Sequence, residues 1–113
     1  MNINGIELEL DIFDADVAEK YDKAIKKVMN IEEETKGMSI GEGIRTQCKA
    51  IFKVFDELFG QGTHERVFGD KVNLLECLKA FEALITGINE KNKEIELIAN
   101  KYSSNRIQRR SKK

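Results

Sequence analysis

The chain has no proline and no tryptophan, one histidine and two cysteines. An interior proline removes a backbone donor and clashes with the preceding turn, so its absence leaves long helices uninterrupted. The lone histidine, His64, would need carboxylates or cysteines to complete a metal site, and none stands at a recognisable ligand spacing. Cys48 and Cys77 fall in helical apolar patterns and read as buried small hydrophobes. A disulfide between them is disfavoured in a reducing cytoplasm. No apolar run approaches the ~18 residues of a membrane span, and no charged segment followed by an apolar stretch opens the chain. The expected site of action is cytoplasmic, with no membrane partner.

Catalytic chemistry is equally sparse. A Cys–His nucleophile would require Cys48 or Cys77 to leave its apolar face. Gly60-Gln61-Gly62 lacks the lysine and hydroxyl of a phosphate loop, and turn formation accounts for its glycines. Asp14, Asp16 and Glu32–Glu34 do not form the alternating oxygen-ligand loop that calcium takes. They read as solvated helix ends. The sequence therefore predicts no catalytic residue, no cofactor and no metal.

What is present is charge and helical periodicity. Charged residues make up 35% of the chain and hydrophobic ones 41%, as in highly charged soluble helices. A length of 113 residues corresponds to one domain. The charge is uneven. Residues 101–113 hold six basic side chains and no acidic one, so with a net charge of −1 overall the first 100 residues carry −7.

Residues 1–12 read as β. Ile6, Leu8, Leu10 and Ile12 alternate with Glu7, Glu9 and Asp11, giving one apolar and one anionic face. Asn4-Gly5 is a hairpin turn signal. An isolated hairpin is marginal in water, so this strand either packs on the helices or pairs with another copy. Those four apolar residues are the candidate oligomerisation surface.

A first helix is expected over about 15–35, capped by Asp14, with Val17, Tyr21, Ile25, Val28 and Ile31 as its stripe. Gly37 stops it. Ser39 and Glu42 match a capping box for a second helix ending near Phe59, and Gly60 is its stop. The loop Gly60–Gly69 has room for one helical turn capped by Thr63. A third helix is expected from Asp70 or Asn73 to about Tyr102, roughly 45 Å. Leu74, Leu78, Phe81, Ile85 and Ile88 form its first stripe. Gly87 costs about 1 kcal/mol there relative to alanine. Asn89–Glu94 are polar, and Ile95, Leu97, Ile98 and Tyr102 then resume the apolar pattern, as an arm attached through a weak point. The resulting expectation is a mainly α fold, a three-helix antiparallel bundle with a short N-terminal strand or hairpin. It comprises one domain over 1–102 and a disordered basic tail over 103–113.

The block Ile51–Phe81 carries a resemblance. Phe55-Asp56-Glu57-Leu58-Phe59-Gly60, Gly62-Thr63, Phe68-Gly69 and Asn73-Leu74, with the Ile-Asn-Gly start, the length and the helical middle, resemble the small tail assembly chaperones of long-tailed bacteriophages and prophages, especially those of Gram-positive hosts. The resemblance implies a non-enzymatic, self-associating protein of the host bacterial cytoplasm. Such a protein coats the long, aggregation-prone tape measure protein, is displaced as the tail tube grows and is absent from the mature virion. It further implies spiral or ring-like homo-oligomers. It also implies a longer form made by programmed frameshifting near the 3′ end of the gene, through which the tail tube protein would be met. A chaperone of an amphipathic helical client needs surfaces that accept i, i+3, i+4 anchors. Phe55, Phe59 and Phe68, with Ile95, Ile98 and Tyr102, are the candidate partner-binding residues. Phe68, in an expected loop between glycines, must either plug the helix pair or meet a partner. The alternative is a small helical nucleic-acid-associated regulator acting through the basic C-terminal tail. The acidic body and the lack of interleaved aromatics or a recognition-helix pattern disfavour nucleic acid.

Overall fold

A computed structural model of the protein describes the backbone of residues 1–111 and the side chains of residues 1–101. The fold is a mainly α-helical bundle, with one helix bent, preceded by a two-stranded hairpin. Strands β1 (Asn2–Ile3) and β2 (Ile6–Glu7) pair antiparallel with Ile3 opposite Ile6. Asn4 and Gly5 turn the chain at φ of 53° and 81°, the left-handed geometry that makes Asn-Gly the preferred two-residue hairpin turn. Asn4 Nδ2 donates to the Val67 carbonyl at 3.3 Å, tying the turn to the far side of the bundle.

The alternation seen in the sequence outlasts the ladder. Leu8, Leu10 and Ile12 are buried while Glu9 and Asp11 stay exposed, although residues 8–12 have no pairing strand. Helix packing therefore supplies the apolar cover. This settles the alternative posed above: the face formed by Leu8, Leu10 and Ile12, with half-buried Ile6 packed against it, lies inside the chain's own core. As a correction to the sequence reading, it is not available for pairing with a second copy while these residues stay in that core.

Helix α1 (Ala15–Met29) begins at Asp14, whose Oδ1 accepts from the Asp16 and Val17 amides at 3.0 and 3.2 Å. The expected single helix bends at Asn30 and resumes as α2 (Ile31–Thr35). The bend lets Ile31 turn into a buried position. Helix α3 (Ile40–Phe59) opens on Ser39, whose Oγ accepts from the Glu42 amide at 3.3 Å, one half of the expected capping box. Gly60 ends it at φ 110°. The expected loop turn is α4 (Thr63–Phe68). Helix α5 runs from Leu74 to Ser111, beyond the end near Tyr102 that the apolar pattern suggested. The expectation of a disordered tail over 103–113 falls outside the described side chains.

Helix α3 is the hub, packing against α1, α2, α4 and α5. Its buried residues Cys48, Ile51, Val54 and Phe55 meet Cys77, Phe81, Leu84 and Ile88 of α5 in one core. Gly87 has a packing reason. A Cβ there would lie 2.9 Å from Met1 Sδ and 3.3 Å from Met1 Cβ, so glycine admits the hairpin against α5. The helix continues through Gly87, which is a contact site and not a break.

Candidate helix-binding seam

Seven residues turn an α-helix to within about 20° of two full turns. On α5, Leu74, Phe81, Ile88, Ile95 and Tyr102 are spaced by seven, as are Cys77, Leu84, Lys91 and Ile98. They define one seam along the helix. From Leu74 to Ile88 the seam is filled by the bundle: Cys77 and Leu84 are fully buried and Ile88 is 1% exposed. Past the bundle the same seam emerges bare, with Ile95 47% and Ile98 58% exposed. Residues 93–101 are all exposed. The polar interruption at Lys91 is turned aside, since its Nζ donates to the Leu10 carbonyl at 3.0 Å. A helical face of this kind, apolar at i, i+3 and i+7, accepts another amphipathic helix.

The remaining candidates separate. Phe55 is fully buried, and Phe68 is 7% exposed at the end of α4. Their rings meet edge to face at 5.5 Å, and Phe52 lies 5.0 Å from Phe68. This corrects the reading of both as partner-binding residues: Phe68 takes the first of its two roles and plugs the α3–α4 corner. Phe59 is half-buried and stacks on Phe55 at 6.0 Å. Ile95 and Ile98 are the candidates left on the surface, and the side chain of Tyr102 lies outside the described residues.

The corner holds one arrangement that the sequence reading missed. Asp56 accepts the His64 amide at 3.0 Å through Oδ1 and contacts His64 Nδ1 at 2.7 Å through Oδ2. Phe52 stacks on the imidazole at 4.9 Å. His64 is thus half-buried. The visible signal was an acid eight residues before a histidine across a glycine-rich turn. The carboxylate satisfies a free donor of the first turn of α4 and fixes the corner. Thr63 Oγ1 adds a bond to the Gly60 carbonyl at 2.7 Å. The block that carries the resemblance therefore builds a hydrogen-bonded corner between α3 and α4.

The cysteines face each other across α3 and α5. Both are buried and free, and burial, followed by the hydrogen bond with Cys48, pushes the Cys77 thiol up to about 12. A thiolate nucleophile is disfavoured there. Among the described residues no group of three or more His, Cys, Asp or Glu could hold a metal ion. No helix among them is long and apolar enough to cross a membrane.

Residues 4–113 match the model of a protein family described as a family of unknown function, DUF6673. No curated protein and no solved structure matches the chain.

Proposed function

The chain belongs to the DUF6673 family, and we propose that it is a tail assembly chaperone: a non-enzymatic protein that binds helical segments of a phage tape measure protein and keeps them soluble in the host cytoplasm. The observation that carries the reading is the seam of α5, which leaves the bundle in unbroken register with Ile95 and Ile98 uncovered. A tape measure protein is a long helical polymer of amphipathic turns. A short apolar arm engages one such turn weakly, and repeated copies along the client add their affinities. Weak single contacts also let a growing tail tube displace the coat copy by copy, so the finished particle would hold none. The α3–α4 corner supports the arm by fixing the helices against which α5 is packed.

Co-expression tests this. The gene neighbourhood is expected to hold a tail tube gene and, immediately downstream, a very long helical reading frame. The product of that frame should be insoluble alone and soluble, in complex, when made with this chain. A client that stays insoluble in the presence of the chain contradicts the reading. Binding of duplex DNA with a steep salt dependence would instead favour the nucleic-acid alternative.

A further inference from the structure

Helices α1 and α5 both pack on α3 and leave a trough between them. Its floor is Val28, Ile31, Ile51 and Phe81, all buried, and its walls are Met29 of α1 and Leu78 of α5, both exposed. Leu75, one turn before Leu78, is exposed as well and lengthens the apolar wall. We propose that this trough docks a cationic amphipathic helix of a partner protein. That helix seats one large apolar side chain between Met29 and Leu78 and sets a lysine or arginine against Glu32. Leu78 lies about 25 Å along α5 from Ile95, so the trough is separate from the arm. Its occupant is a different partner, and the proposal does not depend on the chaperone reading.

Size, backbone chemistry and charge select this occupant. The open space is about 190 Å³, below the ~300 Å³ at which small-molecule pockets begin. It suits the anchor side chain of a larger partner, buried at the centre of a contact. The residues that line it all belong to helices. An extended peptide would find no strand edge to bond its backbone there, whereas a helix satisfies its own backbone and presents one apolar face. Met29 at the rim is unbranched and polarizable, and it adapts to the shape of the anchor.

The charge around the trough is negative. Glu32 is the charged residue in its lining, and among the described residues no cation lies within ion-pair distance of its carboxylate. The neighbouring Glu33 is held by Lys36 at 3.4 Å. Asp22, exposed and seven residues before Met29, adds a second carboxylate to the same wall. Lys26 is turned outward, about 60° round the helix from Met29. Residues 1–100 together carry −7, which draws a cationic partner toward the bundle. The arm differs, because Lys93 and Lys101 stand on it beside Glu94 and Glu96 and it selects neither sign.

Titration of a labelled leucine–lysine helical peptide, with leucines at i, i+3, i+4 and i+7, into the full chain tests the docking. A leucine–glutamate peptide of the same pattern is the control. Saturable binding of the lysine peptide is expected, with the glutamate peptide about tenfold weaker or worse. Met29→Gln and Leu78→Gln should each weaken binding severalfold with an unchanged circular dichroism spectrum, since both side chains are exposed. Glu32→Lys should weaken the lysine peptide and strengthen the glutamate one. Ile98→Asp, on the arm, should leave binding within about twofold of wild type. Isotope-labelled methionine methyls give an independent readout: the Met29 signal should move on binding, and that of Met1, packed on Gly87, should not. Equal binding of the two peptides overturns the proposal, as does a Met29 signal that stays in place or binding that Ile98→Asp abolishes. Self-association of the chain that Leu78→Gln removes would assign the trough to a second copy and overturn it too. A chain that solubilises its client while failing these tests would count against the trough alone.

Discussion

Ile88 and Ile95 occupy the same angular position on α5 two turns apart, yet Ile88 is 1% exposed and Ile95 47%. One apolar seam thus serves first as core and then as surface. Alanine substitution should separate the two roles. Ile88→Ala is expected to cost about 2–5 kcal/mol, and Ile95→Ala to stay within about 0.5 kcal/mol. Urea melts of both variants measure this, and equal losses would mean that the arm is packed.

Phe68→Ala should destabilise as Phe55→Ala does, by about 3–5 kcal/mol each, because both rings lie in the core and meet edge to face. Equilibrium denaturation of the pair checks it. A Phe68→Ala variant of wild-type stability would place this ring outside the core.

The two phenylalanines also mark how far the sequence could be read. Helical periodicity located α1, α3 and the first half of α5, because each buries a regular stripe. Asn4-Gly5 located the hairpin through backbone geometry. Phe68 was ambiguous because α4 is six residues long, too short for a stripe to repeat, and its burial depends on the angle at which α3 and α5 meet, which no local pattern encodes. Leu8, Leu10 and Ile12 were legible as one apolar face, but alternation does not say whether helices or another strand will cover it. The seam was legible in part. The return of apolar residues at Ile95 and Ile98 was visible, and their register with Ile88 required counting in sevens across a polar stretch. The contact of Met1 with Gly87 joins distant segments and leaves no local trace.

That contact makes two glycines behave differently. Gly43 lies inside α3 and an added Cβ meets nothing within 4 Å, whereas at Gly87 it meets Met1. Gly43→Ala should gain up to about 1 kcal/mol from helix propensity. Gly87→Ala should lose that gain to the displaced Met1 side chain and come out neutral or destabilising. Thermal melts compare them, and an equal gain at both sites would show that Met1 does not rest on Gly87.

Alkaline stability should report on Cys77. Its folded-state pKa is raised from an ordinary 9.0 to about 12, first by burial. A group so raised contributes stability that is intact below the unfolded value and is lost as pH climbs toward the folded one. Stability should therefore decline between about pH 9 and pH 12, by up to about 1.4 kcal/mol per pH unit from this thiol. Cys77→Val should show a shallower decline over that window, whatever its stability at neutral pH. Identical slopes would remove the thiol from the explanation.

The most direct measurement of the central claim is a binding titration of a client helix against three folded forms of the protein: wild type, Ile95→Asp, and Leu97→Asp. Leu97 is 70% exposed on the same arm but lies away from the seam by helical position, so it controls for charge and helix disruption. The account predicts that Ile95→Asp abolishes binding while Leu97→Asp retains it within a few-fold of wild type. Equal binding by Ile95→Asp and wild type, or equal loss in both variants, would contradict the seam as the working surface.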